Sequence, residues 1–290
     1  MKILITGAYG QLGNELKALS VHYPGWQFFF TDVDSLDISQ EEAVRKYVRG
    51  ANPDFIVNCA AYTAVDKAET DAENARAINA FAPGFLAKEA KAANAGFMHI
   101  STDYVFNGKG FIPYSENDPV SPLGVYGKTK REGEQRCFQN YESSVVIRTS
   151  WLYSSYGNNF VKTMLRLGQE REMLKVVFDQ TGTPTYAEDL AKAVFIIMET
   201  WKTNPADCLP GIYHYSNEGV ASWYDFAKAI FETAGVACKT VPVLSDEFPT
   251  AAQRPHYSVL NKSKIKAIFN LEIPYWKDSL KNCIHKLQKQ

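Results

Sequence analysis

Tyr126 and Lys130 stand four residues apart in Tyr126-Gly127-Lys128-Thr129-Lys130, so on a helix they share a face, one turn apart. A free tyrosine has a pKa near ~10 and is a poor acid or base at neutral pH. A lysine cation beside it favours the phenolate, as does a positively charged nicotinamide ring, and both bring that pKa toward the working range. Such a tyrosine can give a proton to a carbonyl oxygen as hydride reaches the carbon. The lysine can also hold the nicotinamide ribose. The pattern is common by chance in a chain with 16 tyrosines, so its weight depends on its neighbours. Ser101-Thr102-Asp103 is the first of them. Thr102 can hydrogen-bond a substrate oxygen where charge develops, and Asp103 can accept from a sugar hydroxyl or assist proton delivery. The plain alternative for this triplet is a helix cap or turn.

The second neighbour is Gly7-Ala8-Tyr9-Gly10-Gln11-Leu12-Gly13, placed where an apolar strand gives way to a helical pattern. Glycine lacks a Cβ, so the chain can turn tightly and lie against a pyrophosphate. The helix start then offers N–H groups and partial positive charge. The spacing is G-x-x-G-x-x-G rather than G-x-G-x-x-G, and its strand–loop–helix context favours dinucleotide binding over a mere tight turn. Asp32 follows the second strand candidate, 19 residues beyond Gly13, where an acid would accept from the adenosine ribose. No arginine stands beside it, which leans toward NADH over NADPH. Asp37-Ile38 can flank the adenine. Asn58-Cys59-Ala60-Ala61-Tyr62-Thr63 ends the third strand candidate with small residues that let a cofactor lie against the backbone.

These groups need one scaffold. Lys2 to Thr6, Trp26 to Thr31, Phe55 to Cys59, Phe97 to Ser101 and Val145 to Arg148 are nearly continuous apolar runs, as expected of parallel strands buried on both faces. Helix patterns lie between them: Gln11 to Ser20, a segment opened by a capping box at Ser39-Gln40-Glu41-Glu42, and the alanine-rich Asp71 to Ala80 and Ala82 to Asn94. The alternation predicts an α/β fold with a doubly wound parallel (Rossmann) sheet. Lys175 to Phe178 and Gly211 to Tyr215, flanking a helix at about Ala187 to Trp201, are expected to extend the same sheet. Residues 1–150 with about 175–215 then form the dinucleotide-binding domain. About 151–174 and 216–290 form a smaller substrate-binding lobe over the carboxyl edge of the sheet, where such folds bind ligands.

Bulk properties exclude several other classes. The chain has 290 residues, 46% hydrophobic and 22% charged, with a net charge of −1. No basic excess points to nucleic acid and no polybasic run to a membrane surface. No stretch approaches the ~20 apolar residues of a spanning helix, and the start does not read as a signal peptide. The five cysteines lack a Cys-x-x-Cys spacing and are expected to be reduced thiols in a cytoplasmic protein.

The glycine loop, the Tyr-x-x-x-Lys and the hydroxyl on strand 4 resemble those of extended short-chain dehydrogenase/reductases. Longer runs narrow the resemblance. Val57 to Glu69, Ser101 to Phe106, Arg148-Thr149-Ser150-Trp151, Gly157-Asn158-Asn159-Phe160 and Arg254-Pro255 are similar to those of the dTDP-4-dehydrorhamnose reductase family. The resemblance implies NAD(P)H-dependent reduction of the C4 ketone of dTDP-4-dehydro-L-rhamnose. It implies Tyr126 as proton donor with Lys130 as its partner, Thr102 and Asp103 against the sugar near C4, and Trp151 packed on it. Gly10, Gln11, Leu12, Asp32, Asp37, Ile38, Ala61, Tyr62, Thr63 and Ile100 match cofactor-contacting positions, and the family often accepts both NADH and NADPH. Some members dimerise through magnesium held by three glutamates per subunit. Glu15 and Glu188 match two of them, but the third position falls at about Lys286, and an ammonium cannot ligate magnesium. Glu15 and Glu188 read instead as ordinary helix-surface charge. No magnesium-bridged dimer is expected, and a monomer or weak homodimer is. Two alternatives remain open. In a 4,6-dehydratase a second acid follows Asp103, whereas here Tyr104 does; an epimerase would retain its cofactor. A non-catalytic regulatory subunit, as for methionine adenosyltransferase, would not need threonine, tyrosine and lysine together.

Overall fold

The apolar runs of the first half become adjacent parallel strands, and helices carry the chain back between them. In the computed structural model, which describes residues 1–205 and 208–289, β1 (Lys2–Thr6) turns into α1 (Gln11–Leu19) and β2 (Gln27–Thr31) leads to α2 (Glu41–Ala51). Next come β3 (Phe55–Asn58), the short α3 (Val65–Ala68) and α4 (Ala72–Arg76), which continues through a π-helical turn at Ala77–Phe81 into α5 (Ala82–Ala92). β4 (Gly96–Thr102), α6 (Val125–Asn140) and β5 (Val145–Thr149) complete the first half. The second half holds β6 (Leu152–Tyr153), α7 (Phe160–Glu170), β7 (Met173–Val177), β8 (Thr181–Gly182), β9 (Thr185–Tyr186) and α8 (Ala187–Thr203). It ends with β10 (Gly211–His214), β11 (Ala221–Ser222), α9 (Trp223–Ala234), β12 (Lys239–Val243), α10 (Ser263–Phe269) and α11 (Trp276–Gln288).

The main sheet runs β10-β5-β4-β3-β1-β2, parallel throughout. From β1 the chain goes first to β2 on one side and then to β3 on the other, so strand order reverses at β1 and opens a crevice at its carboxyl end. Successive residues of a strand face opposite sides. Ile3, Ile5, Val57, Met98 and Ile147 pack with Leu12 and Leu16 of α1 and Leu190, Val194 and Ile197 of α8. Leu4, Ile56, Phe97 and Val146 face Val44, Val48, Leu86 and Cys137 on the other side. Each such side chain contributes about 1.5–3 kcal/mol by leaving water, which is why the sheet is firm enough to position loops at its edge.

A second core lies in the C-terminal lobe, where Val161, Leu174, Val176, Phe226, Ile230, Trp276 and Leu280 meet. Its helix α9 opens with a capping box between Ser222 and Asp225 and closes on left-handed Gly235 at φ 69°. α10 returns to the main sheet, where Phe269 packs against Tyr213 with ring centroids 5.2 Å apart.

Three expectations are corrected here. The run at 175–178 does not extend the main sheet: β7 pairs with β12. Its residues alternate, with Leu174 and Val176 buried and Met173 and Lys175 exposed, which suits a strand covered on one face. Ser39 does not cap α2. The N-cap is Gln40, without a side-chain cap, while the Ser39 hydroxyl donates to Asp37 Oδ1 at 2.7 Å. The helices expected at 71–80 and 82–94 are one rod, joined through the π-turn.

Candidate active site

The glycine loop sits in the crevice beside β1. Gly7 has φ +66°, and a Cβ there would lie 2.6 Å from the backbone of Ala60; one on Gly13 would lie 2.3 Å from Gly7 O. Only glycine permits this closeness. Gly10 begins α1 with no side-chain cap, leaving the helix start to an outside acceptor. This cradle fits a dinucleotide pyrophosphate. Asp32 is anchored to it, accepting from Tyr9 N at 3.0 Å and Val33 N at 2.9 Å. Asp37 is occupied by Ser39, and Ile38 is buried. The side chain of Leu12 lies in the core, so its possible contribution to a ligand is its backbone. Gln11 reaches the lobe instead, accepting from Asn159 Nδ2 at 3.0 Å. The loop of Ala61, Tyr62 and Thr63 after β3 is held by Asn79 of the π-turn, whose Oδ1 accepts from Tyr62 N at 2.8 Å and whose Nδ2 donates to Thr129 of α6 at 3.2 Å. A π-turn re-aims a side chain in this way.

α6 enters the crevice with its first N–H capped from elsewhere: Val125 N donates to Glu69 Oε1 at 2.9 Å, an acid at the positive helix end. Gly127 lets the helix approach the end of β4, because a Cβ there would lie 2.3 Å from Tyr104 O. Tyr126 meets the Tyr104 ring edge-on, with centroids 5.5 Å apart, and the Thr102 hydroxyl acts on its phenol to lower it. Thr102 donates its one hydroxyl proton to Asp103 Oδ1 at 3.0 Å. Tyr126, Thr102 and Asp103 are thus neighbouring groups at one sheet edge, with the Thr102 hydroxyl turned to Asp103. Burial pushes the Asp103 carboxyl up to about 6, against the lowering hydrogen bonds of Ser258 and Thr102. Burial also pushes the Tyr126 phenol up to about 12. The expected lowering by Lys130 is absent for a geometric reason. Lys130, buried, directs its Nζ to Ile100 O at 2.6 Å and His99 Nε2 at 3.2 Å. Burial draws this lysine down to about 8.

Beneath the site, Arg148 grips Glu134 with two bonds of 2.8 Å, and Ser101 donates to the same carboxylate at 2.7 Å. This joins β5, α6 and β4 directly below Thr102. Asp66 of α3 accepts from Arg254 at 2.7 Å and fastens that short helix to the C-terminal segment.

Trp151 has φ 46°, a left-handed conformation unusual for a bulky residue. Its ring stacks on Trp223 with centroids 3.6 Å apart, and Gly182 leaves room for it, since a Cβ there would lie 2.6 Å from the indole. Sequence reasoning did not single out Trp223, Asn79 or His99. No short-range pattern marks them, for their partners are distant in the chain. The gap between the two expected helices falls at Phe81, inside the π-turn that carries Asn79 but not on Asn79 itself.

The magnesium position is differently built from what the sequence suggested. Glu15 is not surface charge: it is fully buried and accepts from Ser154 Oγ at 2.6 Å. Burial raises its carboxyl above the usual range. Glu188 is gripped by the ammonium groups of Lys286 and Lys192. A cation already stands on Glu188, so this donor set does not fit a divalent metal.

Comparison with known proteins agrees with this architecture. A family model described as RmlD substrate binding domain matches residues 1–289. The spore coat polysaccharide biosynthesis protein SpsK of Bacillus subtilis (strain 168) is 41% identical over 97% of this chain and 95% of its own length. The dTDP-4-dehydrorhamnose reductase of Escherichia coli (strain K12) is 42% identical over 99% of this chain and 98% of its own. The crystal structure of dTDP-4-dehydrorhamnose reductase from Bacillus anthracis in complex with NADP superposes with a TM-score of 0.93 at 38% identity, covering 98% of this chain and 99% of that one. With the glycine cradle, the grouping of Tyr126, Thr102 and Asp103 and end-to-end similarity in hand, the chain belongs to the RmlD substrate binding domain family, that of the dTDP-4-dehydrorhamnose reductases.

Proposed function

We propose that the chain reduces the C4 ketone of dTDP-4-dehydro-L-rhamnose to give dTDP-L-rhamnose, using NADH or NADPH. The observation that carries this reading is the grouping of Tyr126 with Thr102 and its hydrogen-bonded Asp103 at the sheet edge, beside a cradle fitted to a pyrophosphate. To the dinucleotide we assign Gly7, Gly10, Gln11, Leu12, Asp32, Asp37, Ile38, Ala61, Tyr62, Thr63 and Ile100, Leu12 through its backbone. The dinucleotide, when bound, supplies the hydride. Tyr126 keeps its proton at neutral pH because its phenol titrates near about 12. It is therefore present as the acid, and an alkoxide forming at the sugar is a stronger base than a phenolate and takes that proton. Thr102 then turns its hydrogen bond toward the oxygen bearing charge. Asp103 orients Thr102, and Trp151 offers an apolar face to the sugar ring.

The test is a coupled assay. The purified chain is given dTDP-4-dehydro-L-rhamnose with NADH or NADPH, and the product is identified. Loss of nicotinamide absorbance matched by dTDP-L-rhamnose is expected. No oxidation of either dinucleotide, together with stable capture of a synthetase, would favour a regulatory subunit. Activity without added dinucleotide would favour an epimerase.

A further inference from the structure

Lys130 closes a buried hydrogen-bonded chain that runs away from the Tyr126 phenol. At its far end Ala60 N donates to Asn58 Oδ1 at 3.1 Å, and Thr6 Oγ1 donates to the same oxygen at 2.7 Å. A backbone N–H can only donate, so the amide oxygen of Asn58 must face Ala60. Its Nδ2, which also can only donate, then faces His99 Nδ1 at 3.0 Å. Nδ1 is therefore the accepting nitrogen, and a neutral His99 carries its proton on Nε2. That Nε2 lies 3.2 Å from Lys130 Nζ. An ammonium has three donors and no acceptor, so Nε2–H would meet N–H head on. An amine removes the conflict: Nζ accepts from Nε2–H and donates to Ile100 O at 2.6 Å.

We propose that Asn58 and His99 are positioning residues which, by fixing the His99 tautomer, favour the amine form of Lys130 in the free protein and so set the alkaline limit of activity. The surroundings agree. His99 is wholly buried, and burial and Lys130 hold its ring well below the ordinary histidine range, hence neutral. Burial alone already weakens the hold of Lys130 on its proton. The groups that face Lys130 from α6 and from the turn after β3 are Glu134, Cys137 and Cys59. Glu134 is taken by Arg148 and Arg131, and burial keeps both thiols protonated. With none of these supplying a free charge beside Nζ, the histidine tautomer decides the balance. The inference rests on reading Lys130 as the partner of Tyr126 in the proposed reduction, as the resemblance implies.

The test uses the full-length labelled chain. Long-range ¹H–¹⁵N correlations report the His99 tautomer, and the ¹³Cε shift of Lys130, assigned by its loss in Lys130→Met, reports its titration. The Nε2–H tautomer is expected from about pH 6 to about pH 9, with Lys130 titrating clearly below the usual lysine value of ~10.4. In Asn58→Asp a carboxylate accepts from Ala60, Thr6 and Nδ1–H together. The tautomer inverts, Nε2 becomes an acceptor, and the Lys130 midpoint rises by about one unit or more. The alkaline limb of kcat/KM for the keto-sugar moves up with it. His99→Gln, which offers an amide oxygen to Nζ, is the second variant should the first not fold, and the same upward move is expected. An Nδ1–H tautomer in the native chain, an ordinary lysine midpoint, or a variant that lowers kcat/KM equally at every pH would overturn the proposal. Full turnover in Lys130→Met would instead end the catalytic reading, leaving the tautomer and titration results to be judged separately.

Discussion

At the scale of single residues, burial rather than charge sets the chemistry. Tyr126 is pushed up to about 12 because the surrounding protein penalises the phenolate, which suits a group that must arrive protonated. Tyr126→Phe removes the proton but keeps the ring against Tyr104. Its kcat should fall by about 10²–10⁴-fold, while NADH affinity, measured by fluorescence titration, stays within about twofold of native. Near-normal turnover would end the assignment. Asp103 offers the pH test. Its carboxyl is raised from the ordinary 3.8 to about 6, with burial the chief cause. A raised acid favours folding in its protonated form, so this contribution is present at low pH and is lost as pH rises from about 4 through about 6. The protonated acid no longer accepts from Thr102 as a carboxylate does, so kcat/KM should decline below about pH 6. Asp103→Asn should lack that limb; a profile unchanged in the variant would assign the limb to another group.

At the scale of elements, α6 carries Tyr126 and Lys130 and is pinned at two places. Glu69 caps its start, and the buried pair of Glu134 with Arg148 ties its middle to β5. Burial opposes the Glu134 charge, and Arg148 outweighs it, leaving the carboxyl below its ordinary value. Glu134→Gln strands a buried guanidinium, and breaking such a pair costs about 3–5 kcal/mol. Urea unfolding should show the loss as a lower midpoint at unchanged slope. A loss below about 1 kcal/mol would mean that Arg148 finds another partner. Much of this framework was legible in the sequence. Parallel strands buried on both faces announce themselves as apolar runs, and the five first-half runs match β1 to β5 to within one or two residues. β7 misled because four residues of mixed character cannot tell a two-sided strand from a one-sided one; Lys175 between Leu174 and Val176 was the clue. The Tyr126–Lys130 spacing was visible because helical neighbours are local. The direction of Lys130 was not, since its partners Ile100 and His99 lie on β4, some 30 residues away. Buried Glu15 was hidden likewise, its partner Ser154 lying 139 residues on.

At the scale of the molecule, the two cores are fastened where α11 returns to α8. Lys286 lies on Glu188, beside the buried Glu15 of α1. Burial works to raise the Glu188 carboxyl, but the bonds from Lys286 and Lys192 overcome it and hold it down at about 2. A depressed acid stabilises the fold above its ordinary value, and that contribution is lost as pH falls from about 4.5 toward 2. Acid unfolding should therefore begin at higher pH in Lys286→Met, where one of the two cations is gone. The charge-reversing variant separates an ammonium from a metal as the thing the site requires. Lys286→Glu brings three carboxylates together with Lys192 alone opposing them, and its Tm should drop by several degrees, as expected for about 1–2 kcal/mol. Three acidic oxygens are what magnesium accepts, so millimolar magnesium should restore the variant's Tm through binding to the folded state alone. The native chain should show no such response, because Lys286 already neutralises Glu188. Sedimentation run beside the melting curves shows whether magnesium also draws two variant chains together. A native chain that melts higher with magnesium, and whose association is abolished by a chelator, would mean that Lys286 swings away and leaves Glu15 and Glu188 to the metal.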